Sequence, residues 1–300
     1  MTKGATTPAD RSFNVAAARL LRDCGELLRQ QNANPFRVNA YRRAAQTLEA
    51  LDVDARDILR EQGLAGLVAL PAIGSGLAAA IDEIRRTGRL SRLDRLRGAA
   101  DPEALLRTVP GIGPELARRI HDELHVATLE ALEIAAHDGR LATLSGLGPR
   151  RIAAIRAALL SMLGRAPGRF DRDRVHEPDV DVLLDVDREY RNRASKGTLP
   201  LLAPRRFNPE RVAWLPILHT SRDGWHFTAL YSNTALAHEL QRTRDWVVVY
   251  FHGDDHQEGQ RTIVTETQGQ LRGKRVVRGR EAQCAASYSS RAEAGLEAPV

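Results

Sequence analysis

Three short strings in the first half of the chain set small residues around one apolar residue: Leu70-Pro71-Ala72-Ile73-Gly74, Val109-Pro110-Gly111-Ile112-Gly113 and Leu144-Ser145-Gly146-Leu147-Gly148. Each follows an amphipathic stretch and opens another, over Ser75 to Arg86, Pro114 to Leu124 and Pro149 to Leu163. Glycine accepts φ > 0 and lets a second backbone come close. The central apolar residue can plug the gap between two helices, and the N–H groups that open the second helix then face outward as an anion site. A nucleic-acid phosphate is the ligand this chemistry suits best. The final glycines lie 39 and 35 residues apart, so the unit recurs. Its candidate backbone contacts are Gly74, Ser75 and Gly76, then Gly111, Ile112 and Gly113, then Gly146 and Gly148, with Arg150 and Arg151 beside the last.

Other residues could carry different chemistry. Asp179-Val180-Asp181 and Asp185-Val186-Asp187 are metal-type carboxylate pairs, but the apolar spacing around them is helical, and helical i and i+2 side chains diverge. A solvated helix face is the preferred reading. The last third holds His219, Asp223, His226, His238, Glu239, His252, Asp254, Asp255, His256 and Glu266. His252 and His256 would share a metal only on a helix, and Gly253-Asp254-Asp255 reads as a turn. His219 and His226 flank a tight turn and could face each other across a hairpin; with Glu266 they form the alternative metal set. Asp245 and Glu266 could begin a restriction-type nuclease set, but no lysine follows in Glu266-Thr267-Gln268. Trp225, Phe227, Ala229 and Tyr231 alternate as one face of a sheet, for which core packing is the default. Arg205-Arg206-Phe207-Asn208-Pro209 either continues a nucleic-acid track or solvates the approach to a strand.

These groups must be positioned by two kinds of architecture. From Ser12 the residues Phe13, Ala16, Ala17, Leu20, Leu21, Cys24, Leu27 and Leu28 form a helical stripe. Asn34-Pro35 ends it and starts a helix with Phe36, Tyr41, Ala44, Ala45 and Leu48 inward. Short helices follow at Ala55–Gln62, Leu64–Leu70, Pro102–Thr108 and Thr128–His137, and no strand is expected before residue 200. The reading gives a helical domain over 12–97 and a tandem hairpin domain over 101–163. A linker spans 164–178 and a connecting helix 179–197. A small α+β domain of order ββαββ with an antiparallel sheet occupies 205–281, and 282–300 is expected to be disordered. Within that domain, Asp223-Gly224 marks a hairpin and Val276–Val277 a short edge. The fold class is therefore multidomain, all-α and then α+β.

The net charge of +6 is unevenly spread: residues 1–170 carry 25 Lys+Arg against 19 Asp+Glu, and residues 171–300 carry 19 of each. The surplus lies with the hairpins, as a polyanion partner requires. Lys3, Lys196 and Lys274 are the only lysines, so an arginine-rich composition alone also yields a basic chain. No apolar run reaches the ~18 residues of a membrane span. The polar start lacks an export signal, and Cys24 and Cys284 make neither a metal spacing nor a disulfide framework. A cytoplasmic chain is expected.

Residues 12–163 resemble the N-terminal region of family X DNA polymerases, the DNA polymerase β-like group. The resemblance rests on Asn34-Pro35-Phe36-Arg37-Val38-Asn39-Ala40-Tyr41-Arg42-Arg43-Ala44-Ala45, on the first hairpin with Ile81-Asp82-Glu83-Ile84 and Thr87-Gly88-Arg89-Leu90, and on the second hairpin. It implies a four-helix domain that grips the 5′ side of a DNA gap, a hairpin on the downstream primer backbone, and a monovalent cation on the hairpin carbonyls. Arg37, Tyr41, Arg42 and Arg43 would be supporting side chains. Two departures stand against the match. The Schiff-base lysine of lyase members falls on Ala80, and no lysine lies between residues 4 and 195; arginine stays protonated and cannot replace it. The polymerase palm needs a Gly-Ser turn before an Asp-x-Asp strand, yet Gly74-Ser75 is the one Gly-Ser and lies in the first hairpin. A C-terminal domain of this length is also too short for the barrel nuclease found in bacterial members. The expected function is sequence-independent, repair-related gripping of nicked, gapped or ended DNA, without polymerase or lyase chemistry. The alternatives are a metal-dependent nuclease or phosphodiesterase in the C-terminal domain, or a C-terminal domain that recruits a repair protein.

Overall fold

The computed structural model describes residues 12–98, 101–163, 177–253 and 259–293. The expected leader (1–11), most of the expected linker (164–176), the Asp254-Asp255-His256 turn and the end of the tail (294–300) lie outside them. The chain divides into two compact units at Ala100–Asp101.

In the first unit, α1 (Ser12–Gln30) and α2 (Pro35–Ala50) pack along each other. Their facing positions are small: Ala17, Ala18, Ala44 and Ala45 are fully buried, and a Cβ on Gly25 would come within 3.2 Å of the Tyr41 Cβ. Pro35 opens α2, and the Asn34 side chain accepts the Phe36 N–H at 2.9 Å. Phe36 itself departs from the sequence expectation. It is 84% exposed, because the inward stripe of α2 runs through Arg37, Val38, Tyr41, Ala44, Ala45 and Leu48 and leaves position 36 on the outer side. α3 (Ala55–Val68) turns at Gly63, whose φ of 64° separates two short helical pieces at the expected place. α4 (Ser75–Thr87) stops at left-handed Gly88, and α5 (Ser91–Leu96) closes the unit.

The second unit begins with α6 (Pro102–Leu106), α7 (Pro114–Leu124), α8 (Leu129–His137), a 3₁₀ turn at Arg140–Thr143 and α9 (Pro149–Met162). Leu106, Val109, Ile120, Leu132, Leu141, Ile155 and Leu159 form their shared core. Next come α10 (Val180–Ser195) and a six-stranded sheet in sequence order: β1 (Leu201–Leu202), β2 (Leu215–Arg222), β3 (Trp225–Tyr231), β4 (Val247–Gly253), β5 (Gly259–Thr265) and β6 (Arg275–Val277). The pairs β1–β2, β2–β3, β4–β5 and β5–β6 are antiparallel, and the Ser232 N–H bonds the Trp246 carbonyl at 2.8 Å where β3 leads toward β4. α11 (Ala235–Glu239) links β3 to β4, and α12 (Glu281–Glu293) follows β6.

Three features of this unit were not anticipated from the sequence. The helix over 179–197 does more than connect: Leu183, Val186 and Tyr190 of α10 lie in the sheet's core beside Phe227, Val249 and Ile263. Residues 282–293, expected to be disordered, belong to α12, because Cys284 and Tyr288 are buried in that same core. The opposite face of the sheet meets the tandem helices. There the Gln260 side chain donates to the His125 carbonyl at 2.6 Å and accepts from the Ala127 N–H at 3.0 Å, and Trp246 lies edge-on to His125. The sheet is thus covered on both faces by helices whose partners are distant in sequence.

Candidate nucleic-acid interface

The three hairpins have one backbone. The residue before the plug is left-handed in each: φ is 59° at Ala72, 89° at Gly111 and 82° at Gly146. The plug residues Ile73, Ile112 and Leu147 are buried, and each N–H bonds the carbonyl three residues back, at 3.3, 3.1 and 3.3 Å. Gly74, Gly113 and Gly148 then cap α4, α7 and α9 in extended backbone, with ψ of 176°, 177° and 164°. No side chain caps these three helices, so their opening N–H groups stay available to an anion. Ser75 adds a hydroxyl oxygen shielded from solvent with no hydrogen-bond partner among the described residues.

Side chains around this shared backbone differ. Thr47 Oγ1 donates to the Pro71 carbonyl at 2.8 Å and ties the first hairpin to α2. Arginines join the second and third hairpins reciprocally: Arg119 donates to the Ser145 carbonyl at 2.9 Å, and Arg151 to the Gly111 carbonyl at 3.0 Å. The Gly111 and Ser145 carbonyls are among those on which the resemblance implies a monovalent cation, and each accepts a guanidinium N–H. Arg150 stands exposed at the start of α9. Glu115 holds the corresponding place on α7, paired with Arg118 at 2.6 Å, and that hydrogen bond keeps its carboxyl below the usual carboxylate range.

The supporting side chains on α2 divide in two. Arg42 and Arg43 are exposed, with Arg42 3.4 Å from Glu26. Arg37 and Tyr41 are buried, and Tyr41 accepts a hydrogen bond from Arg92, so both position α2 rather than reach outward. Sequence periodicity could have separated these groups, since 37 and 41 fall on the inward stripe and 42 and 43 do not. Phe36, read as inward, is the outward aromatic at this place.

The alternative metal residues are not brought together. His219 pairs with Thr228 across the β2–β3 hairpin and contacts its hydroxyl at 3.0 Å, while His226 pairs with Ser221 and contacts its hydroxyl at 2.8 Å. The register therefore sets each histidine opposite a hydroxyl and not opposite the other histidine. Glu266 accepts from Arg278 at 2.8 Å. Burial alone would raise its pKa, but bonds from the Thr267 N–H and Arg278 bring it down. Among the described residues no three His, Cys, Asp or Glu side chains are grouped to hold a metal.

Three of the four Asp-x-Asp carboxylates, Asp181, Asp185 and Asp187, pair with arginines. Asp187 is buried and paired with Arg275 at 2.7 Å, and Arg275 also reaches Asp245 at 2.7 Å. Asp185 accepts from Arg222 at 2.6 Å, and Asp181 pairs with Arg291 at 2.7 Å. Burial pushes the Asp185 pKa up, and the bonds from Arg222 and Arg188 more than reverse it. Together these pairs fasten α10 to the sheet and to α12.

Residues 12–90 match the family model described as a helix-hairpin-helix domain, and residues 102–159 match that of a SAM-like helix-hairpin-helix tandem. Over 182 residues, 60% of this chain, the sequence is 30% identical to DNA polymerase/3'-5' exonuclease PolX of Bacillus subtilis (strain 168). The N-terminal region is helix-hairpin-helix and family X-like. That match spans 29% of the length of the Bacillus protein. Among the described residues, no helix of the family X-like region or of the sheet module is long and apolar enough to cross a membrane.

Proposed function

We propose that this chain binds DNA through its three hairpins, holding the phosphate backbone of nicked, gapped or ended molecules independently of sequence. The observation that carries the reading is the threefold repetition of one backbone, with a left-handed small residue, a buried plug and an uncapped helix start at each site. Phosphate contacts of this kind fix a protein on DNA without reading bases. The Bacillus relative is named as a DNA polymerase/3'-5' exonuclease, and with DNA as the shared partner we propose a role in repair. We propose no polymerase or Schiff-base lyase step for these residues. Ala80 has no amine, and three of the four Asp-x-Asp carboxylates, Asp181, Asp185 and Asp187, are paired with arginines.

A binding panel tests this reading. The full chain is mixed at low salt, in EDTA, with intact, nicked, gapped and single-stranded DNA of one sequence and of a scrambled sequence. Tighter binding to nicked and gapped DNA in both sequences is expected. Preference for one sequence, or for intact duplex, would count against it.

A further inference from the structure

Between β1 and β2, residues 203–214 form a loop held from several sides. The Asn208 side chain donates to the Val212 carbonyl at 2.9 Å and accepts its N–H at 3.1 Å. Asn233 Nδ2 donates to the Arg206 carbonyl at 3.1 Å, and the Arg206 guanidinium pairs with Glu103 of α6 at 2.8 Å. Within this fixed loop Phe207 and Arg211 take left-handed backbone, with φ of 53° and 54°, which side chains rarely adopt. Observed strain of this kind clusters at working sites.

The loop displays apolar surface to solvent. Phe207 is 46% exposed and Val212 53%. The Phe207 ring is steadied by His238, centroid to centroid at 4.5 Å, and by the Arg206 guanidinium at 5.3 Å. Arg205 and Arg211 stand exposed on either side in sequence. Neither has a carboxylate partner among the described residues, whereas Arg206 nearby pairs with Glu103. A partly open ring flanked in sequence by two exposed arginines, with the exposed Glu210 beside Arg211, has the chemistry of a platform for a nucleobase and its phosphates. Three arginines, Arg205, Arg206 and Arg211, against one carboxylate, Glu210, in this loop favour a polyanion over an apolar protein surface.

We propose that Phe207, with Arg205 and Arg211, is a second nucleic-acid contact that stacks on an unpaired base of DNA held by the hairpins. The proposal rests on the function put forward above and adds a substrate feature to it: single-stranded bases beside the gripped duplex. Its position suits that role. α6 has five residues, about 7.5 Å of helix, and leads from the Arg206 anchor toward the second hairpin. The hairpins hold backbone alone, so the sheet module distinguishes a gap from a nick.

The test uses the full chain and two DNAs that differ only in whether the interruption is a nick or a short gap. A fluorescent base analogue lies in the gap, and the proteins are wild type, Phe207→Leu, Phe207→Trp and Arg205→Glu with Arg211→Glu. Phe207→Leu keeps apolar bulk and removes the ring, and thermal melting of each variant checks its fold. Gapped-DNA affinity is expected to fall about 5-fold or more in Phe207→Leu, with loss of analogue quenching, and to persist in Phe207→Trp. Nicked-DNA affinity should stay unchanged in both. Equal binding of gapped DNA by wild type and Phe207→Leu overturns the proposal while leaving the hairpin reading intact, and directs this patch to a protein partner. Failure of wild type to bind either DNA overturns both.

Discussion

The second and third hairpins carry the same backbone and opposite charge. Gly111 and Gly146 agree within 7° in φ, and Gly113 and Gly148 cap their helices alike. Yet the second residue of α7 is Glu115 and that of α9 is Arg150. An acidic residue there suits the helix's own dipole, and a basic one suits a bound phosphate. The difference teaches that the fold repeats the grip while side chains at the helix start set how strongly each copy holds an anion. The reciprocal bonds of Arg119 and Arg151 keep the two copies in one frame, so the contrast is carried by charge.

Reversing the charges breaks the comparison most sharply. Arg150→Glu should lower affinity for gapped DNA about 10-fold at low salt and reduce the salt slope by about one to two units. Glu115→Arg should raise affinity several-fold, read in the same anisotropy titration. If Glu115→Arg weakened binding as much as Arg150→Glu, the second hairpin would not be facing DNA.

The first hairpin sharpens the comparison through its backbone. Ala72 sits where the other two copies have glycine, at a φ that costs an L-residue about 1 kcal/mol. Ala72→Gly should therefore stabilise the chain by up to about that amount in urea unfolding. Gly111→Ala and Gly146→Ala should each lose a similar amount. A Cβ at either glycine meets nothing within 4 Å, so conformation alone is tested.

An effect confined to low pH separates the ends of the two helices. α7 finishes at left-handed His125, whose pKa burial lowers to about 4, with the neighbouring His121 adding to the shift. Its unfolded value is near 6.5. The unfolded chain then takes up a proton that the native chain refuses, so the contribution is full above pH 6.5 and declines toward pH 4. His125→Asn, which tolerates the same backbone, should flatten this decline in melting temperature. An unchanged slope would remove His125 from the account.

Local features were legible in the sequence and distant ones were not. The hairpins, the Asn34-Pro35 helix start and the Gly63 break are written in consecutive residues, so turn chemistry and periodicity located them. The outward Phe36 was within reach too, because it lies off a stripe whose other members are regular. The role of α10 was hidden for a different reason. Its Asp187 finds Arg275 across 88 residues, and such a pair leaves no trace in local spacing. The same holds for α12, which looks polar until Cys284 and Tyr288 meet the sheet, and for the Gln260 bridge to His125 and Ala127. The candidate metal histidines failed on register, which sets His219 and His226 opposite hydroxyls.

The central claim is that the hairpins hold DNA by its phosphates. Its most direct test is the affinity of the full chain for one gapped DNA, measured by anisotropy across about 50 to 200 mM salt. The account predicts a steep, linear fall of log affinity with log salt, made shallower by Arg150→Glu. Absence of binding at the lowest salt, or affinity indifferent to salt, would contradict it.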